Sequence, residues 1–251
     1  MSSIIFNTEN GIASITLNRP EKLNAFNREM ALSLQQHLDF CNADHNTRVI
    51  MITGSGRAFS AGQDLAEIAG QDNPGIGRIL SEHFNPVISK IYNSQKPVIA
   101  AVNGVAAGAG ANIALCCDIV VATRSAAFIQ AFSKIGLIPD SGGTWFLPRL
   151  IGWQRASALM LLGEKVSAEE AEKMGMIYKS IADDQFESSL NQLITHLASL
   201  PPAGLALTKR ALQTSAQNNL QEQLIEEDEL QQQAAGLPEF RNAVTAFITK
   251  T

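Results

Sequence analysis

Hydrophobic and polar positions alternate in blocks that predict a β-hairpin followed by an amphipathic helix at the start of the chain. Two apolar segments, Ile4–Phe6 and Ile12–Leu17, flank the pair Asn10-Gly11. An Asn-Gly pair between apolar runs is the strongest short-range hairpin signal. Asn27 then stands where it can cap a helix. The apolar positions of that helix recur every three to four residues, at Met30, Leu34, Leu38 and Cys41.

The middle of the chain repeats one unit, which consists of an apolar strand, a loop of small residues and a helix. Val49–Thr53 and Pro97–Val102 are continuous apolar runs, typical of strands buried on both faces. The loops 54–64 and 104–110 that follow them are rich in Gly, Ala and Ser. This order predicts a parallel α/β sheet with right-handed crossovers. Further elements are predicted as helices at Arg78–Asn93 and Asn112–Leu115 and a strand at Asp118–Ala122.

The C-terminal part is predicted to be helical. Ser167 and Glu170 have the spacing of a capping box, within a predicted short helical segment, Glu164–Ile177. Pro201-Pro202 is a helix break. The longer helices are predicted at Phe186–Leu200, Leu205–Gln217 and Leu220–Ala235.

Composition and charge narrow the possible functions. The chain has 251 residues, of which 45% are hydrophobic and 17% charged, as in ordinary globular proteins. A net charge of -5 lacks the basic footprint of nucleic-acid binding. The three cysteines and four histidines lack the spacing of disulfide or metal sites. We therefore expect a cytoplasmic protein without a metal, a signal peptide or a membrane span.

The two loops of small residues are the first candidates for chemistry. Their Gly-x-Gly pairs suggest a dinucleotide site, but after Gly110 the third glycine of that fingerprint is replaced by Ile113. One interpretation is structural, with glycines that allow tight turns and close packing. The other is that both loops, Ser60–Gly62 and Ala106–Gly110, aim backbone N–H groups at one oxygen atom. Such convergent donors form an oxyanion hole.

Asp140 is the sharpest candidate for a catalytic acid or base. It is a lone carboxylate in the apolar, Gly-rich loop Ile138–Gly143. The alternative is an N-cap for the helix expected to open at Thr144, because Asp is among the best capping residues. The loop by itself leaves both interpretations open. Asp64 and Asp118 are interpreted as a helix cap and a strand-edge residue.

Four motifs occur in register along the chain: Phe59–Asp64, Lys96–Gly104, Cys117–Ile119 and Gly136–Thr144. Together they resemble the crotonase superfamily, also called the enoyl-CoA hydratase/isomerase family, over residues 12–247. The resemblance implies an α/β fold built as a spiral of ββα turns. It also implies a core, residues 1–195, for acyl-CoA binding and catalysis. A helical region, residues 196–251, would cover the active site and assemble the chain into homotrimers or homohexamers.

The same resemblance implies an acyl-CoA thioester substrate, with no cofactor apart from the coenzyme A that the substrate carries. The oxyanion-hole N–H groups fall on Gln63 and Ala109, and Asp140 falls where several family isomerases carry a catalytic aspartate. Residues implied to contact the CoA or the acyl group are Lys22, Leu23, Ala61, Asp64, Leu65, Gly108, Asn112, Phe132, Phe247 and Lys250.

Two departures from the family pattern bear on the reaction. The family's hydratases activate water with two glutamates, whose positions are held here by Asn112 and Phe132. A phenylalanine transfers no proton and excludes water. This favours an isomerase that moves a double bond or, like the phenylacetate-degradation isomerase that the motifs most resemble, rearranges a ring epoxide to an oxepin. A hydratase acting on a 2-enoyl-CoA and a non-catalytic acyl-CoA-binding protein remain open. The segment Ile68–Leu80 is expected to line the acyl end.

Overall fold

The computed structural model describes residues 2–70 and 73–249 of the chain. The strands are β1 (Ile4–Glu9), β2 (Ile12–Leu17), β3 (Val49–Gly54), β4 (Ala58–Ser60), β5 (Val98–Val102), β6 (Val105–Ala107), β7 (Ile119–Thr123), β8 (Ala127–Ile129), β9 (Lys165–Ser167) and β10 (Lys179–Ile181). The helices are α1 (Arg28–Ala43), α2 (Leu65–Ala69), α3 (Ile76–Arg78), α4 (Asn85–Tyr92), α5 (Ala109–Leu115), α6 (Gly143–Ile151), α7 (Trp153–Leu162), α8 (Ala168–Lys173), α9 (Phe186–Ser199), α10 (Pro202–Ser215), α11 (Leu220–Gly236) and α12 (Pro238–Ile248).

Two sheets share the strands in a way that produces a spiral. The larger sheet has the order β1-β2-β3-β5-β7-β10, and the smaller has the order β4-β6-β8-β9. The consecutive pairs β3-β4, β5-β6 and β7-β8 each place one strand in each sheet, and every pair is followed by helical structure. The predicted α/β fold of ββα turns with a helical C-terminal region is confirmed.

The N-terminal predictions are also confirmed. Strands β1 and β2 pair in antiparallel register, and Asn10 and Gly11 have φ of 51° and 80°, as a tight hairpin turn requires. The Asn27 side chain accepts a hydrogen bond from the Met30 amide and so caps α1. The predicted apolar positions of α1 are all buried.

Two predictions in the middle of the chain are wrong. The segment 104–110, predicted as a loop, contains β6, which pairs with β4 and β8. The segment Glu164–Ile177, predicted as helical, begins with β9, and only α8 after it is helical. Both strands have three residues, too few for an alternating pattern to be visible in the sequence. The capping box of Ser167 and Glu170 is present at the start of α8.

The core lies on both faces of the larger sheet. Residues of β5 alternate between the two faces, as the side-chain period of a strand requires. One face packs against α1, α4 and α5, and the other against α9 through Leu190 and Ile194. The predicted domain boundary after residue 195 falls within α9, so the packed core continues to the end of that helix.

A widened turn interrupts the helix predicted at Arg78–Asn93. Residues Ile79–Phe84 form a π-helical turn that joins α3 to α4. The Asn85 amide donates to the Leu80 carbonyl oxygen, five residues earlier. Ile79 and Phe84 are buried in this turn. No helix in the described part of the chain is long and apolar enough to cross a membrane.

Candidate active site

The two loops of small residues meet at their glycines. A Cβ atom on Gly62 would lie 2.8 Å from the carbonyl oxygen of Ala107 and 3.2 Å from the amide nitrogen of Ala109. A Cβ atom on Gly110 would lie 2.6 Å from both the Cβ and the carbonyl oxygen of Ser60. Only glycine permits these approaches. The two loops therefore converge, as the sequence predicts.

Gln63 and Ala109 carry the two backbone N–H groups at this junction. Phe26 donates to the Gly62 carbonyl at 2.7 Å and accepts from the Asp64 amide at 2.8 Å, which forms a parallel bridge opposite Gln63. In such a bridge the N–H of the middle residue points to the other side. Ala109 is the first residue of α5, so its N–H has no intrahelical acceptor. Neither N–H has an acceptor within residues 2–70 and 73–249.

An apolar cavity of about 150 Å³ lies beside this junction. Asp140 is the one acidic or basic side chain among the described residues that line it. The other lining residues are Ala61, Gln63, Leu65, Ile68, Ile76, Ile79, Leu80, Phe84, Gly108, Ala109, Ala131, Phe132, Ile135 and Leu137. The cavity thus combines two N–H donors, one carboxylate and apolar walls.

The carboxylate of Asp140 does not cap a helix. Helix α6 starts at Gly143, its N-cap residue is Gly142, and no side chain bonds to the helix N-terminus. Among the described residues, only the Ser141 hydroxyl donates to the carboxylate, at 2.8 Å. Burial raises the pKa of Asp140 above its ordinary value, and the bond from Ser141 partly opposes this rise. The capping alternative is therefore wrong, and the carboxylate remains available to a ligand.

Phe132 covers the turn that leads into α5. Its ring lies 3.8 Å from the position that a Cβ atom on Gly108 would occupy, and the side chain is buried. Gly108 itself has φ of 53°, which favours glycine. An aromatic ring at this place keeps the cavity apolar beside the two N–H groups. No group of three metal-capable side chains exists among the described residues.

The family profile described as enoyl-CoA hydratase/isomerase matches residues 7–251. The chain belongs to this family. It is 45% identical to the 1,2-epoxyphenylacetyl-CoA isomerase of Escherichia coli, over 100% of this chain and 97% of that protein. It is 44% identical to a Rhodobacter capsulatus protein named "Probable enoyl-CoA hydratase", over 99% and 95% of the two chains. These family enzymes carry both kinds of reaction name at nearly equal identity.

Solved structures of enoyl-CoA hydratases have the same fold as this chain. The crystal structure of the enoyl-CoA hydratase from Bacillus anthracis superposes with a TM-score of 0.93, at 30% identity, over 99% of this chain and 96% of that one. The crotonase fold expected from the sequence motifs is therefore the fold of this protein.

Five residues implied to bind CoA lie on two segments, Lys22–Leu23 and Ala61–Leu65, that a backbone hydrogen bond joins. Ala61 and Leu65 line the cavity, and the Ala61 amide donates to the Leu23 carbonyl at 2.9 Å. Lys22 is exposed next to Leu23. Asp64 has its carboxylate occupied, because it pairs with Arg19 at 2.9 Å and accepts from the Ala66 amide as the cap of α2.

Two other residues implied to contact substrate do not line the cavity. Asn112 was expected to contact the substrate, but it is fully buried and does not line the cavity. Its side chain instead bonds the backbone of Asp140. Phe247 lies on α12, is 80% exposed and is not among the lining residues. Lys250 lies outside the described residues.

Several residues that line the cavity were not predicted from the sequence. The expected segment Ile68–Leu80 does contribute, through residues at both of its ends. Phe84 joins them because the π-helical turn brings it to the same side. Ile135 and Leu137 come from the stretch before Asp140. Ile135 and Leu137 could have been predicted, because they are apolar residues shortly before the candidate catalytic aspartate.

Proposed function

We propose that this protein is an acyl-CoA isomerase that shifts a double bond or rearranges a ring epoxide to an oxepin. The single observation that carries the proposal is the solitary carboxylate of Asp140 in an otherwise apolar cavity beside two unoccupied N–H groups. One carboxylate suffices to take a proton from one carbon and return it to another. Activation of water by a pair of carboxylates has no second partner among the described lining residues.

The N–H groups of Gln63 and Ala109 are assigned to the thioester oxygen. When a proton leaves the carbon next to the thioester, negative charge develops on that oxygen. Preorganised donors stabilise this charge, and removal of one donor of this kind typically lowers kcat by about 10²–10³-fold. Gly62 and Gly110 support the assignment because they allow the two backbone segments to approach.

Asp140 is assigned as the proton carrier. Its raised pKa brings the carboxyl closer to neutral pH than an ordinary aspartate, and a general acid-base group works best when its pKa is near the working pH. Phe132 supports the same reaction because its ring occupies the place where the family's hydratases carry a glutamate. The apolar wall excludes water from the enolate.

A ring-sized acyl group is the substrate class that the cavity favours. Its volume is about 150 Å³, and an apolar protein cavity of about that size, lined by Leu, Ile and Phe, binds benzene. The similarity to the 1,2-epoxyphenylacetyl-CoA isomerase supports the same choice.

The test is a mass- and absorbance-resolved assay of the purified protein. The substrates are ring-1,2-epoxyphenylacetyl-CoA, a 3-enoyl-CoA and a 2-enoyl-CoA. Conversion at constant mass of the epoxide or of the 3-enoyl-CoA is the expected result. Addition of one water to the 2-enoyl-CoA, without isomerisation, would establish the hydratase and overturn the proposal. Binding of all three esters without turnover would establish an acyl-CoA-binding protein.

The remaining features of the proposal concern assembly and location. A homotrimer or a homohexamer is supported by exposed apolar side chains on the C-terminal helices, and light scattering of the purified protein tests it. These side chains are Leu212, Leu220, Leu224, Ile225 and Phe240. A cytoplasmic location is supported by three free, buried cysteines. The proposed chemistry requires no cofactor beyond the CoA of the substrate.

A further inference from the structure

We propose that Asn112 is a positioning residue that holds the Asp140 base at a set distance from the oxyanion hole. The inference rests on the proposed roles of Asp140 and Ala109. Asn112 lies on α5, three residues after Ala109, so the two lie about one helical turn apart. The Asn112 side-chain Nδ2 donates to the backbone carbonyl oxygen of Asp140 at 2.8 Å. One rigid helix turn therefore carries the oxyanion donor at one end and a clamp on the base at the other.

The loop around Asp140 needs such a clamp. The next two residues, Ser141 and Gly142, have φ of 51° and 74°. A left-handed conformation is unfavourable for serine and persists only where surrounding contacts enforce it. Without the bond from Asn112, the Asp140 carbonyl loses this side-chain donor at the point where the backbone is strained. We expect the loop to relax and the carboxylate to move.

Gln130 determines the orientation of the Asn112 amide. Gln130 Nε2 donates to Asn112 Oδ1 at 2.8 Å, which leaves Nδ2 to face Asp140. Both side chains are buried, with 0% and 2% of their surface exposed for Asn112 and Gln130. The Gln130 Oε1 atom is itself buried and has no hydrogen-bond partner among the described residues. A buried polar group that is only partly satisfied is costly, which is consistent with a role beyond packing.

The first residue of α6 makes room for this contact. A Cβ atom on Gly143 would lie 2.4 Å from Asn112 Nδ2, closer than any side chain allows. Gly143 also donates its amide to the Asp140 carbonyl at 2.9 Å. The Asp140 carbonyl is thus held from two sides, by the start of α6 and by the side chain from α5.

The experiment measures exchange of the α-protons of phenylacetyl-CoA with D₂O. This exchange needs the base and the oxyanion hole but no rearrangement. Asn112→Leu keeps the approximate shape and removes both hydrogen bonds. Because a misplacement of about 1 Å can cost on the order of 10²-fold in rate, we expect exchange to fall by at least about tenfold. The Kd of phenylacetyl-CoA should stay within about twofold.

The thioester carbonyl stretch of the bound ligand separates the base from the hole. It should keep the wild-type frequency in Asn112→Leu, because the N–H donors are intact. A frequency that returns to the solution value would place the defect in the hole and overturn the inference. An exchange rate near that of the wild type would overturn it as well.

Gln130→Leu covers the case in which Asn112→Leu does not fold, and the double variant tests the coupling where it does. Gln130→Leu leaves Asn112 in place but frees its amide to rotate, and a smaller fall in exchange is expected. The double variant should lose no more than Asn112→Leu alone, because both bonds act through one contact. Unaltered exchange in Gln130→Leu, or fully additive losses, would contradict the coupling.

Asn103→Leu is the matched control. Asn103 also bonds backbone groups, those of Gly54, Gly56 and Ala58, but does not line the cavity. Its exchange rate should stay within about twofold of the wild type, and an equal loss there would overturn the specific role of Asn112. A wild type that exchanges α-protons without isomerising overturns the proposed function and leaves this inference decidable. A wild type that does neither overturns both.

Discussion

Two carboxylates of this protein are partly shielded from water, one at the junction before β7 and one in the loop before α6. Burial raises the pKa of both Asp118 and Asp140. Asp118 pairs with Lys209 of α10 at 2.8 Å and accepts from the Val98 amide at 2.7 Å. Asp140 has one neutral donor, the Ser141 hydroxyl. The first carboxylate has a counter-ion, whereas the second has none among the described residues.

This difference separates a structural carboxylate from the one to which we assign the proton transfer. Lys209 is only 9% exposed and also donates to the carbonyl of Ile91 at 3.0 Å. The Asp118–Lys209 pair therefore joins α10 to the core. Asp140 has no comparable partner among the described residues, so burial destabilises its ionised form and raises its proton affinity. A raised proton affinity suits the proposed proton transfer.

The largest expected effect is on activity. Asp140→Asn should lower kcat by about 10²–10⁴-fold, the usual contribution of a positioned acid or base, with CoA-ester affinity preserved. The folded-state pKa of Asp140 is raised, so the stability that it contributes is present at low pH and lost as the pH rises through that pKa. At neutral pH the variant should melt at the same temperature as the wild type or up to about 3 °C higher. Steady-state kinetics and calorimetry measure both, and near-normal turnover would remove Asp140 from the mechanism.

The matched change at Asp118 should lower the stability of the fold and leave the activity nearly unchanged. Asp118→Asn leaves the buried Lys209 without a counter-ion, so we expect a loss of roughly 2–4 kcal/mol in the free energy of unfolding. The folded fraction should retain kcat within about threefold. Urea denaturation followed by fluorescence, beside kinetics well below the melting temperature, tests this. An Asp118→Asn variant that is stable but inactive would contradict the structural role of Asp118.

Removal of both charges of the Asp118–Lys209 pair should lower the free energy of unfolding less than removal of one charge alone. Asp118→Asn combined with Lys209→Met removes both charges and lets an apolar stem fill the space. Replacement of a buried pair is often close to neutral, so the double variant should regain more than about half of the lost free energy of unfolding. No recovery would show that the hydrogen bonds of Lys209 to backbone carbonyls, rather than the ion pair, attach α10 to the core.

The smallest expected effect concerns the Ser141 hydroxyl, which donates to the Asp140 carboxylate. The bond from Ser141 lowers the pKa of Asp140 relative to burial alone. Ser141→Ala should therefore raise that pKa further and move the acidic limb of the kcat/KM profile to higher pH, with a loss of a few-fold, about 2–5-fold, at neutral pH. The pH profile is the measurement. A limb that moves to lower pH, or does not move, would assign it to another group.

Several parts of the site could be predicted from the chain alone. The loops Ser60–Gly62 and Ala106–Gly110 are rich in small residues, and the structure shows why, because Gly62 and Gly110 let the two backbones touch. The hairpin and the cap of α1 were predictable for a related reason, since turn and cap preferences depend on neighbours only a few residues away.

Other parts were beyond the reach of local patterns. The strand β6 has three residues, so its membership of the smaller sheet depends on partners far along the chain. The same applies to the cavity wall, where Phe84 and Leu137 line one cavity although more than fifty residues separate them.

The sequence by itself determined the strand–loop–helix repeat, the family motifs and the presence of a lone aspartate in a Gly-rich loop, because each is a pattern of neighbouring residues. Only the tertiary structure decided the surroundings of that aspartate. It showed that Asp140 leaves the N-terminus of α6 uncapped, faces an apolar cavity and is held by Asn112 from another helix. The long-range ion pair with Lys209 distinguishes Asp118 from Asp140, and it is not encoded in residues adjacent along the chain.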